Sequence, residues 1–127
     1  DALVIVNGLP TWMSDSSNWI NGDPRTTFIQ KWFKPVVARY SAYGRAVAWE
    51  VWNEPNDDGN PENATLGINI SNPQGAANYV TMLQQAWDVA KAATPVKLVV
   101  SAATTSINQN YPNTLNYNKA MVTAGVQ

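Results

Sequence analysis

The sequence predicts an α/β fold in which three βα units share a parallel sheet. Three observations carry the prediction. Strand-like and helix-like stretches alternate three times along the 127 residues, the rhythm of βα units. The first strand candidate is a continuous β-branched and aliphatic run, as expected of a strand covered on both faces. The longer helix candidates each carry one apolar stripe at three- and four-residue spacing. The length fits a single modest core, so residues 1–127 are read as one domain.

The first strand is expected over Ala2–Val6, closed by Asn7-Gly8. A polar loop follows from Leu9 to Gly22, carrying Trp12 and Trp19. Asp23 is an N-cap residue and Pro24 suits the first helical position, so a helix starts there and runs to Gly44. Its stripe is Phe28, Ile29, Trp32, Phe33, Val36, Val37 and Tyr40, and Pro35 within it predicts a kink or local irregularity. The second strand spans Ala46–Trp52, with Val47, Trp49 and Val51 on one face and Ala46, Ala48, Glu50 and Trp52 on the other. Glu50 is then a buried carboxylate that needs a proton or a partner. Asn56 to Ser71 reads as a long loop, and a second helix begins at Asn72-Pro73 and ends before Pro95, with Tyr79, Met82, Leu83, Ala86, Trp87, Ala90 and Ala93 as its apolar face. The third strand is Lys97–Ala102, followed by a polar loop from Thr104 to Asn116 and a short helix from about Tyr117 to Ala124, capped by Gly125.

Composition removes several classes of chemistry. With no cysteine and no histidine, the chain offers no disulfide framework, thiolate metal site, cysteine nucleophile, Ser-His-Asp triad or His-ligated zinc. A net charge of −1 without a basic block lacks the footprint of nucleic-acid or anionic-membrane binding. The apolar runs are too short to span a bilayer. Six tryptophans and five tyrosines serve equally as core rings and as platforms for sugars.

The residues that point to chemistry surround Glu54. Proline is expected to hold the preceding residue extended and has no N–H to continue a ladder, so the strand is expected to stop at Glu54, before Pro55. A carboxyl is thereby placed at the carboxyl rim of a parallel sheet, where α/β enzymes bind ligands. Partial desolvation beside Trp52 and Asn53 would raise its proton affinity, which suits a general acid. Asp57 and Asp58, next to Gly59, read as a solvated turn rather than a metal site; neither metal nor cofactor is expected.

Glu50-Val51-Trp52-Asn53-Glu54-Pro55-Asn56 closely resembles the fourth-strand motif of the clan A glycoside hydrolases, retaining (β/α)8-barrel enzymes that include cellulases, mannanases, xylanases and β-xylosidases. Val4–Ser14, with Leu9-Pro10-Thr11-Trp12, looks like the third strand and its loop, and Tyr40–Arg45 like the approach to the fourth. The resemblance implies part of a TIM barrel, strands three to five, acting on oligo- or polysaccharides with β linkages. It implies that Glu54 protonates the glycosidic oxygen and then activates water, while Asn53 binds the sugar 2-hydroxyl. Trp12 and Trp52 are the further candidate sugar contacts, with burial under the loop as the other reading of Trp12.

Retention needs two carboxylates about 5–5.5 Å apart, and the family's nucleophile belongs to the seventh strand, outside these units. Glu50, four extended residues from Glu54 and therefore roughly 13 Å away, does not replace it. The chain is accordingly expected to be an incomplete catalytic domain, inactive alone, whose bare sheet edges and inner face are covered by the remainder of the barrel or by self-association. The alternative is a non-catalytic carbohydrate-binding or structural half-barrel. Two glycosylation sequons, Asn63-Ala64-Thr65 and Asn69-Ile70-Ser71, fall in the loop after the motif and point toward a secreted, extracellular protein.

Overall fold

Ala2–Val6, Ala46–Val51 and Leu98–Ser101 form strands β1, β2 and β3, which make one parallel sheet in the order β1-β2-β3. The structure, a computed structural model, describes residues 1–105 and 113–126. Two compact units divide the chain, one of residues 1–52 and 82–101, the other of residues 53–81 and 102–127.

The sheet belongs to the first unit. Register aligns Val4, Trp49 and Val99 in one row and Ile5, Glu50 and Val100 in the next. Because side chains alternate across a strand, these rows lie on opposite faces. The Trp49 face is packed: Trp49 is fully buried and meets Phe33 edge-on, with centroids 6.5 Å apart, and the Lys97 ammonium stands 5.9 Å from its ring. The opposite face is open along its two outer strands, with Leu3 46%, Ile5 51%, Leu98 64% and Val100 36% exposed, while Ala48 and Glu50 of the central strand are buried. Val47 departs from the expected burial and is half exposed, because the β1–β2 register slips between Ala2 and Leu3 and leaves it unpaired.

Asp23 caps α1, Pro24–Phe28, by accepting from the Arg25 N–H at 3.0 Å and the Thr26 hydroxyl at 2.8 Å. Ile29–Phe33 is π-helical, and α2, Lys34–Tyr40, continues from it. This wide turn is the irregularity expected from Pro35, which has no N–H for the Lys31 carbonyl four residues back. It also alters the predicted stripe. A π turn brings residues five apart, such as Phe28 and Phe33, to the same side, and Phe28, Ile29, Phe33 and Val37 are buried while Trp32 and Tyr40 are exposed. A single helix running to Gly44 is therefore replaced by three segments ending at Tyr40.

The loop expected over Asn56 to Ser71 contains a helix, α3, Pro61–Leu66. Its signals are local: the Asn60 side chain accepts from the Glu62 N–H, Pro61 occupies the first position, and Gly67 closes it in the left-handed region at φ 66°. The long helix α4, Gly75–Ala93, starts later than Asn72. Gly75 lies so close to the Ile68 and Asn69 carbonyls that a side-chain carbon there would collide with backbone. In the second unit α4 buries Ala76, Tyr79 and Val80, and in the first Met82, Ala86 and Ala90, leaving Trp87 exposed one position round the helix.

The last helix, α5, spans Thr114–Thr123. Its buried Tyr117 donates to the Ile68 carbonyl at 2.6 Å; burial, then the neighbouring Tyr79, pushes its phenol above the ordinary value, which keeps it a donor. Tyr79 accepts from the Ala102 N–H at 2.6 Å. The polar loop expected from Thr104 to Asn116 lies, over 106–112, outside the described residues. No helix among the described residues is long and apolar enough to cross a membrane.

Candidate active site

The segment Trp52-Asn53-Glu54 leaves the sheet by an unusual backbone path. Trp52 has φ 73° and Glu54 φ 46°, both in the left-handed region that non-glycine residues rarely occupy. The strand thus ends at Val51, earlier than expected, and Glu54 is left-handed rather than extended. Pro55 disfavours the right-handed helical region for the residue before it, but Glu54 takes the left-handed alternative to an extended strand. Each such residue costs of order 1–3 kcal/mol and persists only where its surroundings over-determine it.

Those surroundings are specific. Trp52 is fully buried, its N–H donates to the Val6 carbonyl at 2.9 Å, and its ring meets Phe28 edge-on at 5.3 Å. Aromatic pairs of that geometry add about 0.5–1.5 kcal/mol beyond burial. Trp52, a candidate sugar contact from the sequence, is therefore placed as a core ring. Glu54 is held in the second unit by its backbone at both ends. Its N–H donates to the Ala103 carbonyl at 2.9 Å. Its own carbonyl accepts from the Asn63 side-chain amide at 2.8 Å and from the Asp57 N–H at 3.1 Å.

With the backbone clamped, the side chains that matter are left open. Glu54 is exposed and Asn53 half-buried, and neither side chain has a hydrogen-bond partner among the described residues. The desolvation expected around Glu54 is not supplied by its own unit. Pro55 and Asn56 are buried behind it. The Asn56 carbonyl oxygen of the side chain accepts from the Thr105 N–H at 2.9 Å, and its amide donates to the Thr114 hydroxyl at 3.1 Å. The end of the motif is thereby tied to the segment after β3 and to the start of α5.

Trp12 lies on a 3-10 turn, Thr11–Ser14, and is 37% exposed. Its carbonyl accepts from the Asn18 side-chain amide at 2.9 Å, and the Lys31 ammonium stands 6.0 Å from its ring centroid. Trp19 is more enclosed and donates its indole N–H to the Met13 carbonyl at 2.9 Å. Glu50 is 8% exposed in the inner row between the more open Ile5 and Val100, with no partner for its carboxylate among the described residues.

Asp57 accepts from the Gly59 N–H at 2.7 Å. Asp58 accepts from the Asn69 amide at 2.8 Å, the Ser71 N–H at 3.1 Å and the Ser71 hydroxyl. No group of three or more potential metal-ligating side chains occurs among the described residues.

Over this frame, the family model for cellulases of glycosyl hydrolase family 5 matches residues 1–124. The chain belongs to that family. No curated protein and no solved structure matches it. A family 5 chain is a clan A glycoside hydrolase built on a TIM barrel, and these three parallel strands with their helices are part of such a barrel. In this architecture helices pack on the outside. The Trp49 row, which packs on a helix, is thus the outward row, and the Ile5–Glu50–Val100 row faces the barrel interior.

Two residues that sequence reading passed over shape the family 5 motif loop. Asn56 belongs to the sequence motif, which assigns it no role. Asn63 was read only as a glycosylation sequon in a loop; it is instead fully buried on α3, with its amide engaged. The available signal was α3 itself, whose Asn60-Pro61 start and Gly67 stop place Asn63 in a helical turn instead of an open loop.

Proposed function

We propose that the chain supplies the general acid/base of a retaining β-glycoside hydrolase, with Glu54 in that role. The observation that carries this reading is the Glu54 carboxylate, exposed and without a protein partner among the described residues, on a backbone clamped in a left-handed conformation. A general acid must reach the glycosidic oxygen and give up its proton to it; a carboxylate committed to a structural ion pair would do neither. In the glycosylation step Glu54 protonates the departing oxygen while a second carboxylate attacks the anomeric carbon. In the second step Glu54, now deprotonated, takes a proton from water as that water displaces the enzyme carboxylate.

Asn53, also free to donate, binds the sugar 2-hydroxyl, and Trp12, partly exposed on its own turn, is a further candidate ring for sugar stacking. Trp52 acts indirectly, by fixing the exit from β2. The nucleophile is a carboxylate from another part of the barrel. Glu50 is committed to the inner sheet row and Glu62 to the first turn of α3. The substrate is a β-linked polysaccharide, and the enzyme that degrades it is secreted. Taken alone, the 127 residues are inactive and associate through the partly open inner face and sheet edges.

In the complete barrel, Glu54→Gln keeps size and hydrogen bonding but removes the transferable proton. Turnover of unactivated oligosaccharides is expected to fall at least a hundredfold, in line with the ordinary worth of acid–base catalysis. Unchanged turnover would show that Glu54 has another role.

A further inference from the structure

We infer that Asn63 is a positioning residue for Glu54, an inference that rests on the acid/base reading of Glu54. Asn63 has no exposed surface, and its side-chain amide donates to two backbone carbonyls, that of Glu54 at 2.8 Å and that of Asp57 at 2.9 Å. The Asp57 N–H in turn donates to the Glu54 carbonyl at 3.1 Å. One carboxamide therefore closes a loop of contacts around the peptide that follows the Glu54 side chain.

The Glu54 peptide is gripped on its other side by the Ala103 carbonyl, which accepts the Glu54 N–H. A residue with φ 46° sends its Cβ along a different vector from an extended residue at the same site. The clamp thus sets the direction of the carboxylate without touching it. Asn63 fits this task for three reasons. It sits on α3, whose two ends are closed by Asn60 and Gly67, so the donor is carried by a fixed element. A carboxamide nitrogen has two protons and two carbonyls face it, so no donor is wasted. Its backbone N–H is also used, donating to the Asn60 carbonyl at 3.1 Å.

A mispositioned acid harms most the substrates that need it most. Aryl β-glycosides with good leaving groups depart without protonation, whereas unactivated alcohols do not. Loss of the clamp is therefore expected to raise the dependence of rate on leaving group, a signature that lowered stability alone does not produce.

The test compares the complete enzyme with its Asn63→Ala and Glu54→Gln variants on a series of aryl β-glycosides and an unactivated oligosaccharide, at a temperature where each is folded. For Asn63→Ala, kcat on the unactivated substrate should fall by about tenfold to a hundredfold, the scale of an ångström-sized misplacement. KM should hold, and the dinitrophenyl glycoside should lose less than about threefold in its bond-cleavage step. Equal losses across the series, or none, would overturn the positioning role. Where Asn63→Ala does not fold, Asn63→Gln, which keeps the donors but moves them by one methylene, carries the same comparison. The Glu54→Gln arm separates the two claims. If that variant keeps its rate on the unactivated substrate, the acid/base reading fails and this inference with it; if only Asn63→Ala lacks the leaving-group effect, this inference fails alone.

Discussion

At the scale of single residues, asparagine and aspartate side chains organise the loop that carries the candidate acid. Asn56 and Asn63 are fully buried, an unusual position for amides unless hydrogen-bonded; Asn63 spends its amide on the motif loop, and Asn56 ties that loop to Thr105 and Thr114. Asp58 does comparable work nearer the surface. Burial acts to raise its carboxyl, but the hydrogen bonds from Ser71, then Asn69, outweigh it and hold the group below the ordinary carboxylate value. The sign follows directly. A depressed folded-state value contributes stability that is present above the unfolded value and lost as pH falls through the lowered one. Protection of the Ser71 amide from hydrogen exchange, corrected for intrinsic rate, should therefore weaken on acidification through that range. Asp58→Asn should flatten the dependence, and an unchanged acid response would remove Asp58 as its source.

Among elements, legibility tracked how local the determining signal is. β1 was readable to the residue because its aliphatic run and Asn7-Gly8 stop are both contiguous. The start of α1 was readable from Asp23-Pro24 for the same reason. The π turn was visible only as a disturbance around Pro35. How the helix absorbs the lost hydrogen bond depends on packing, and the outcome moved Trp32 from the predicted stripe to the surface. The short helix α3 was missed although Asn60, Pro61 and Gly67 mark it, because six residues show no apolar period. At the site, the motif disclosed Glu54 but its conformation did not follow from Pro55 alone. The left-handed backbone depends on Ala103 and Asn63, partners that are 49 and nine residues away in sequence, the second on a helix that had not been recognised.

For the whole molecule, the two faces of the sheet carry the argument. Trp49 and Val51 are sealed against the helical side, while Leu3, Ile5, Leu98 and Val100 remain open on the other. Apolar area of that kind favours burial at about 25 cal/mol per Å², so we propose that further strands of a family 5 barrel, or a second copy of the chain, cover it. The 127 residues expressed alone are expected to self-associate, with a mass in dilute solution above that of one chain; a stable, well-folded monomer would contradict this. The central claim, that Glu54 is the acid/base of a retaining mechanism, has its most direct test in the complete enzyme. There Glu54→Ala, supplied with a dinitrophenyl β-glycoside, should form the glycosyl-enzyme but release it slowly. Added azide, a nucleophile that needs no general base, should then accelerate turnover and yield the β-glycosyl azide. Absence of acceleration, or an α-glycosyl azide, would contradict the account.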